Sequence, residues 1–231
     1  MLDCNMYEKY GQFTDGKWHK SSTGETYEVI NPANEEVLGQ ASKASPEDVN
    51  KALLSAQKGL EVWRKTPPWQ RAYILRRIAD KMREKQDILA KWMTLEVGKP
   101  FAEAKGEVNG AADIYEWNAE ETKRIYGQTV ESRFEDTRVH VYYQPVGVVA
   151  ALVPWNFPLV LSARKISTAL AAGCSVIVKP DVITPGVVME QVEICRECGV
   201  PPGVVNLLSG DPPSIAPVSY THLTLPTNKA V

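Results

Sequence analysis

The sequence predicts an α/β fold in which a helical scaffold precedes an open, parallel βαβαβ unit. An apolar run at residues 148–153 stops at a proline-bounded polar break, residues 154–158, before a helical pattern begins. A second, β-branched run at residues 176–178 ends at Lys179-Pro180. Two strands separated by one helix pair in parallel through a right-handed crossover, so both end at the same edge of the sheet. Ligands bind at this edge in open α/β sheets.

A third strand completes the unit. A helix predicted over about residues 185–198 leads to an apolar run at residues 204–208, which ends at Ser209-Gly210. The GxGxxG fingerprint of ordinary dinucleotide folds does not occur in the unit. We expect the sheet to end at this third strand, with an unpaired apolar edge that awaits a further strand and favours aggregation. The apolar positions of that strand are Val204, Val205, Leu207 and Leu208.

The chain before residue 145 predicts a small β element followed by four helices. Asp15-Gly16 is a two-residue hairpin signal. Ser45, followed by Pro46 and two acidic residues, is typical of the first turn of a helix. Apolar residues recur at helical spacing in each predicted helix, which indicates core-facing stripes. These stripes contain Val49, Ala52, Leu53, Ala56 and Leu60; Ile74, Leu75, Ile78 and Met82; Ile88, Leu89, Trp92 and Met93; and Phe101, Ala104, Val108, Ala112 and Tyr115.

Composition is typical of a soluble enzyme domain. With 231 residues, of which 44% are hydrophobic, the chain is long enough to bury a sizeable core. A formal net charge of −2 gives no reason to expect nucleic acid or an anionic membrane as a partner. No apolar stretch reaches the length of a membrane span, and the first residues do not read as a secretory signal. We therefore expect a cytoplasmic protein.

The four cysteines do not have the dense spacing of a disulfide-stapled secreted domain. Cys195 and Cys198 have the spacing of half a metal site or of a redox pair, but no second pair or histidine cluster completes it. Two thiols on one helix are the favoured interpretation, and we predict no metal site. Cys174 lies where a buried strand begins, so we expect it to pack in the core rather than to act as a nucleophile. Cys4 has no diagnostic context.

The segment that contains residues 154–158 and 179–180, PWNFP and KP, closely resembles the coenzyme domain of NAD(P)-dependent aldehyde dehydrogenases. Other segments resemble the same family in family order: FTDGKW, INPANEEVLG, MTLEVGKPFAEAKGEV and GVPPGVVNLLSGD. The resemblance covers roughly residues 7–216. It implies a coenzyme-binding unit of the aldehyde dehydrogenase type, which binds NAD or NADP without GxGxxG, and a small-molecule aldehyde as substrate.

Asn156, within PWNFP, is the predicted catalytic residue of this segment. Aldehyde oxidation requires a donor for the oxyanion of the tetrahedral adduct, and an amide NH2 donates without carrying charge. The alternative is a turn asparagine that bonds only to local backbone. Its place at the end of a parallel strand favours the catalytic interpretation.

The resemblance implies that Lys179 bonds to the adenosine ribose hydroxyls or 2′-phosphate, whereas a solvated surface lysine is the alternative. Val182 departs from the family, because many NAD-preferring members have a glutamate there for the ribose hydroxyls. Valine removes a repulsion against a 2′-phosphate, so NADP becomes admissible, and Asp181 could partly replace the glutamate. The full set of predicted coenzyme-binding residues is Val153, Pro154, Trp155, Lys179, Pro180, Asp181, Val182 and Gly210.

Arg164 matches an arginine with which succinate-semialdehyde dehydrogenases hold the substrate carboxylate, a task that suits the bidentate guanidinium. The segments EWNAEETKRIYG and ALAAGCSVIVKP also resemble that subfamily most. Lactaldehyde and other aldehyde dehydrogenases can carry the same Arg-Lys pair, and a surface arginine is the bland alternative. Residues 129–144 match a family strand arm that reaches neighbouring subunits, which implies that the full-length protein is a homo-oligomer.

The family's catalytic cysteine, in a GQxC-like context, and its general-base glutamate, in an ELGGK-like context, do not occur in residues 1–231, and neither does FTGS. Residues 217–231 show no helical stripe and no family likeness, so we interpret them as foreign sequence behind a family segment at residues 1–216. The sequence therefore predicts a truncated, amino-terminal part of an aldehyde dehydrogenase, inactive and poorly soluble on its own. The alternative is a non-catalytic coenzyme-binding or structural relative.

Overall fold

The structure, a computed structural model, describes residues 6–211 and residue 215. Short strands and a helical scaffold come first, and an alternating strand–helix segment follows. The helices are α1 (Met6–Lys9), α2 (Pro46–Trp63), α3 (Pro68–Glu84), α4 (Gln86–Val97), α5 (Phe101–Thr122), α6 (Pro158–Ala171) and α7 (Pro185–Glu197). The strands are β1 (Gln12–Thr14), β2 (Lys17–His19), β3 (Thr26–Ile30), β4 (Val37–Ser42), β5 (Gln128–Glu131), β6 (Arg138–Val141), β7 (Val148–Leu152), β8 (Ser175–Lys179) and β9 (Val205–Leu207).

The largest sheet has the strand order β2-β1-β9-β8-β7. β7 pairs with β8 in parallel, with Leu152 opposite Lys179, and β8 pairs with β9 in parallel, with Val178 opposite Leu207. The carboxyl ends of β7, β8 and β9 therefore lie side by side. This arrangement confirms the predicted βαβαβ unit.

The prediction of an unpaired third strand is wrong. β1 lies antiparallel to the outer side of β9, with Phe13 opposite Leu207. Beyond the end of the strand, the Gln12 side chain accepts from the Ser209 N–H at 2.8 Å and donates to the Ser209 carbonyl at 3.2 Å. The apolar side chains expected on that edge are buried, namely Val204, Val205, Leu207 and Leu208.

The open edge is on the opposite side of the sheet, along β7. Within residues 6–211, β7 pairs with β8 alone. A cleft of about 600 Å³ runs along this edge, between β7 and α6. In a doubly wound sheet the fourth strand pairs beside the first, so β7, the first strand of the unit, is where such a sheet would continue.

The predicted amino-terminal hairpin is confirmed. Asp15 and Gly16 join β1 to β2 with φ values of 52° and 75°. A two-residue turn with both φ values positive matches the twist of the flanking strands, and the Asp-Gly pair tolerates that conformation. A second hairpin, β3–β4, was not predicted as a separate element.

The scaffold helices α2 to α5 surround α6, α7 and the sheet. Ser45 caps α2 through a capping box with Asp48, as the sequence predicts. The predicted stripes are largely buried around Trp63, Trp92 and Tyr115. Two stripe residues are exposed instead, Ile88 and Phe101. Each lies in the first turn of its helix, where the chain still runs along the surface.

Residues 128–141 contain an exposed antiparallel hairpin, β5–β6. Every residue of both strands is exposed, including Val130 and Val139. Residues 129–144, predicted to be a strand arm, thus largely overlap this hairpin, while the predicted role in assembly stays a prediction.

In the described part of the chain, no helix is both long and apolar enough to cross a membrane. Cys4 and the segment interpreted as foreign, residues 217–231, lie outside the described residues.

Candidate active site

The end of β7 and the start of α6 form the turn that carries Asn156. The Val153 N–H donates to the Lys179 carbonyl at 2.9 Å, which extends the pairing of β7 with β8 by one bond. Pro154 and Trp155 then leave the sheet, and both are exposed. α6 begins at Pro158, in the position where a missing N–H costs nothing.

The Asn156 side-chain amide forms no hydrogen bond with any other described residue. An asparagine that serves only its own turn bonds to nearby backbone. Here the backbone carbonyl of Asn156 is held instead, because it accepts from Lys99 Nζ at 3.4 Å. The exposed amide is therefore available to a ligand, as the catalytic interpretation requires.

Asn156 and Arg164 line the same cavity, of about 500 Å³. Small-molecule sites commonly have volumes of about 300–1,000 Å³. The Arg164 guanidinium is exposed and has no ion pair or hydrogen bond with the rest of the described chain. The cavity is lined by Lys99, Glu103, Gly106, Glu107, Gly110, Asn156, Phe157, Val160, Leu161 and Arg164.

Lys179 ends β8 beside the turn, and only 7% of its surface is exposed. Burial lowers the pKa of its ammonium, whereas the nearby Asp181 and Asp211 act to raise it. Its ammonium makes no hydrogen bond or ion pair within the described residues. A solvated surface lysine does not fit this position. A buried cation without a bonded acceptor suits a polar ligand at the sheet edge.

The loop after β8 contains three further residues predicted to bind the coenzyme. Pro180 is buried, and Asp181 and Val182 are half-buried. Asp181 Oδ1 accepts from the Ile183 N–H at 3.1 Å, so one carboxylate oxygen is already engaged inside the loop. The other oxygen of Asp181 forms no hydrogen bond with another described residue.

Gly210 lies at the carboxyl end of β9. Its φ of +142° is strained for any side chain, and an added Cβ would lie 3.0 Å from the Ala44 nitrogen. Beside it, Ser209 Oγ is 2.7 Å from the Tyr27 hydroxyl. Glycine therefore lets the end of β9 pack against the loop after β4.

Two buried carboxylates that the sequence reading did not single out cap the helices of the unit. Glu107, from the middle of α5, accepts from the Leu159 and Val160 N–H groups at 3.0 and 3.2 Å. Phe157, the residue before α6, has no side-chain cap. A helix that begins without Ser, Thr, Asp or Asn needs a hydrogen-bond acceptor from elsewhere in the chain. The lack of such a residue before α6 was the only sign in the sequence that another side chain caps this helix.

Glu96, at the end of α4, serves α7 in the same way. It accepts from the Gly186 N–H at 2.7 Å, the Val187 N–H at 3.1 Å and the Tyr7 hydroxyl at 2.9 Å. Burial raises the pKa of Glu96 to about 7, although the three donors act to lower it. Thr184, before α7, provides no side-chain cap.

The cysteines of the described chain are buried, as expected for residues that pack in the core. Cys174, Cys195 and Cys198 are buried free thiols, and none of them lines the cavity of Asn156 and Arg164. Burial raises the pKa of Cys195 to about 12. A thiol so rarely ionised is a poor nucleophile.

Residues 18–224 match the sequence model of the Aldehyde dehydrogenase family. This match runs past residue 216, so the predicted boundary of the family segment stays a prediction. Succinate-semialdehyde dehydrogenase [NADP(+)] GabD of Escherichia coli is 43% identical over 208 residues, which are 90% of this chain and 43% of that protein. Glutarate-semialdehyde dehydrogenase of Pseudomonas aeruginosa is 43% identical over 91% of this chain and 43% of its own length.

Solved structures agree with these relatives. An E. coli NADP-dependent enzyme superposes with a TM-score of 0.92 at 40% identity, covering 96% of this chain and 46% of that one. Succinate-semialdehyde dehydrogenase from Burkholderia pseudomallei gives a TM-score of 0.91 at 39% identity, over 95% of this chain and 45% of that one. The chain thus spans less than half the length of the proteins it matches. On sequence and structure together, the chain belongs to the aldehyde dehydrogenase family.

Proposed function

We propose that this chain supplies the coenzyme-side part of an NAD(P)-dependent aldehyde dehydrogenase that oxidises an aldehyde with a distal anionic group, such as succinate semialdehyde. One observation carries the proposal. An unbonded neutral amide, Asn156, and an unpaired guanidinium, Arg164, line one cavity between α5 and α6, beside the turn that follows β7. The amide suits an oxyanion, and the guanidinium suits a carboxylate.

In this proposal Asn156 donates to the oxygen that becomes negative when a nucleophile adds to the aldehyde. Its neutral amide stabilises that charge in place, without a proton transfer of its own. The GQxC-like cysteine and the ELGGK-like glutamate that would act as nucleophile and base do not occur in residues 1–231. We therefore propose that the chain does not oxidise aldehydes by itself.

Lys179 is the residue proposed to hold the coenzyme. Its buried ammonium lies at the carboxyl end of β8 and has no bonded acceptor among the described residues, which fits the hydroxyls or 2′-phosphate of an adenosine ribose. When bound, a nicotinamide coenzyme accepts the hydride that leaves the substrate. Val182 places no carboxylate against a 2′-phosphate, so the loop accepts NADP as well as NAD.

The names of several relatives support an anionic substrate. They include succinate-semialdehyde, glutarate-semialdehyde and 3-sulfolactaldehyde dehydrogenases, together with a 4-(hydroxymethyl)benzenesulfonate dehydrogenase. Carboxylate and sulfonate are both anions that offer at least two oxygen acceptors to the donors of an arginine fork. The shared chemistry supports Arg164 as the anion-binding residue of this chain.

We also propose that the whole protein works in the cytoplasm as a homo-oligomer. The exposed hairpin β5–β6 offers its unpaired strand edges and exposed valines, a combination that favours pairing with another chain.

A chimera tests the proposed reaction. Residues 1–211 of this chain replace the matching segment of E. coli GabD, and we call this protein the completed enzyme. We expect it to oxidise succinate semialdehyde with a higher kcat/KM than an uncharged four-carbon aldehyde, with NADP or NAD. Equal kcat/KM values would contradict the anionic substrate, and a folded chimera that oxidises no aldehyde would contradict the proposed function.

A further inference from the structure

The first turn of α6 depends on a carboxylate from another helix. Pro158 has no N–H, and Phe157 offers no side-chain acceptor, so the next amides need a partner. Glu107 Oε1 accepts from both Leu159 and Val160, at 3.0 and 3.2 Å. A negative charge at this helix end is also favoured by the helix dipole.

The same carboxylate is also linked to Asn156, because Lys99 contacts both residues. Glu107 Oε2 accepts from Lys99 Nζ. That ammonium lies 3.4 Å from the Asn156 carbonyl oxygen and 4.0 Å from the centre of the Phe157 ring. One ion pair therefore contacts the backbone both at Asn156 and just after it.

This ion pair is not an ordinary surface salt bridge. The Glu107 side chain is 2% exposed and the Lys99 side chain 10% exposed. Burying two charges carries a desolvation cost that a close pair offsets only when its remaining hydrogen-bonding groups are satisfied. Here they are satisfied largely by the turn itself. The pair therefore holds the turn in a defined geometry, and the loss of either member would leave a buried charge unpaired.

We propose that Glu107 and Lys99 are positioning residues for Asn156. They fix the backbone from which the Asn156 amide is presented to the cavity. Both residues also line that cavity, but their charged groups contact each other and the turn. The inference rests on the proposed oxyanion role of Asn156. It adds two residues whose substitution changes turnover through the turn.

Glu96 provides a matched control. It is an equally buried carboxylate that caps α7 through Gly186 and Val187, but it makes no contact with the Asn156 turn. Glu96→Gln and Glu107→Gln each replace a buried helix-capping carboxyl group with an amide, but only Glu107→Gln also removes the ion-pair partner of Lys99. They also differ in which helix loses its carboxyl cap.

A double-mutant cycle in the completed enzyme tests the proposal. We expect Glu107→Gln to lower kcat by about tenfold and to change the coenzyme KM by less than about twofold. In the Asn156→Ala background the same change should lower kcat by less than about twofold, because the residue through which Glu107 acts is already gone. An equal fold-loss of kcat with Asn156 present and with Asn156→Ala would overturn the proposal. A general folding defect lowers kcat whether or not Asn156 is present.

Hydrogen exchange separates this inference from the proposed function. We expect Glu107→Gln to speed exchange of the first two amides of α6 by about tenfold and to leave those of α7 unchanged, with the reverse in Glu96→Gln. If the first amides of α6 exchange no faster in Glu107→Gln, the positioning role is overturned, irrespective of the role of Asn156. Normal turnover in Asn156→Ala alone instead removes the oxyanion role.

Lys99 supplies a second set of variants if Glu107→Gln does not fold. Lys99→Met keeps the aliphatic stem and removes the ammonium, whereas Lys99→Arg retains a cation within reach of Glu107. We expect the methionine variant to show the same dependence on Asn156 and the arginine variant to recover most of the lost kcat. Equal kcat values for the two variants would overturn the role of the charge.

Discussion

The amide of Asn156 is useful because it is neutral, exposed and unbonded within the described chain. Such a donor lowers the barrier without titrating near neutral pH, and losing one costs roughly 3–4 kcal/mol of transition-state stabilisation. We expect Asn156→Ala in the completed enzyme to lower kcat by about a hundredfold or more and to leave coenzyme affinity nearly unchanged. Steady-state kinetics and coenzyme titration measure the two quantities, and a normal kcat would remove the oxyanion role.

Arg164 lines the same cavity, and its proposed role concerns the choice of substrate. We expect Arg164→Ala to raise the KM for succinate semialdehyde by at least about tenfold, and the KM for an uncharged four-carbon aldehyde by far less. Arg164→Lys is the matched control, because it retains the charge without the bidentate fork. Its KM for succinate semialdehyde should lie between those of the unsubstituted enzyme and Arg164→Ala. A similar rise for both aldehydes would contradict an anion-binding role.

Glu96 makes stability depend on pH. Its pKa of about 7 in the folded chain exceeds the ordinary value of 4.5, so the folded state holds a proton that the unfolded state releases between these values. The contribution of Glu96 to the free energy of unfolding is therefore largest below pH 4.5 and is lost as the pH rises through 7. We expect the thermal midpoint of Glu96→Gln, relative to the unsubstituted completed enzyme, to increase from pH 5.5 to pH 7.5. A constant difference would contradict the raised pKa.

At the scale of elements, the sequence predicts most of what is local. Pro158 and Pro185 mark the first residues of α6 and α7, and the β-branched run at residues 176–178 lies inside β8. The pairing of Phe13 with Leu207 could not be predicted, because no local pattern reports a contact between segments so far apart in the chain. Positive-φ turn residues, by contrast, act within a few bonds, and Asp15-Gly16 was therefore predictable.

The candidate site divides in the same way. The residues on the turn and at the strand end, such as Asn156 and Lys179, follow motifs that stand in the sequence. The absence of a capping side chain before α6 was visible, but its replacement by Glu107 was not, because α5 and α6 meet only in the folded chain. Propensity and pattern rules predict where an acceptor is needed, and tertiary packing decides which residue provides it.

Two helical glycines form a contrasting pair. A Cβ on Gly59 in α2 would lie 2.2 Å from the Gly203 carbonyl carbon, whereas a Cβ on Gly106 in α5 meets nothing within 4 Å. We expect Gly59→Ala to lower the free energy of unfolding by at least about 1–3 kcal/mol through overpacking. Gly106→Ala should raise it by about 0.5–1 kcal/mol, since alanine favours the helix. Denaturant unfolding of the completed enzyme measures both, and equal effects would contradict the close approach of α2 to the loop before β9.

For the whole molecule, we expect the edge of β7, which pairs with no second strand within the described residues, to determine solubility. Ala150 on β7 is exposed and its neighbour Ala151 is fully buried. A lysine on an exposed strand edge opposes pairing with another chain. We expect the 231-residue chain to aggregate, Ala150→Lys to shift it towards the monomer in light scattering, and Ala151→Lys to unfold it. A chain that is monomeric without substitution would contradict the role of this edge.

The β1–β9 pairing also constrains the order in which parts of the chain can fold. Closing a loop that joins residue 13 to residue 207 costs about 2 kcal/mol more chain entropy than forming the β7–β8 pair, whose crossover is short. During synthesis, the amino-terminal hairpin leaves the ribosome first, yet it cannot dock until β9 has been translated. The earliest segment of the chain therefore takes its final place among the latest, and we expect the outer side of β9 to stay unpaired until that segment docks.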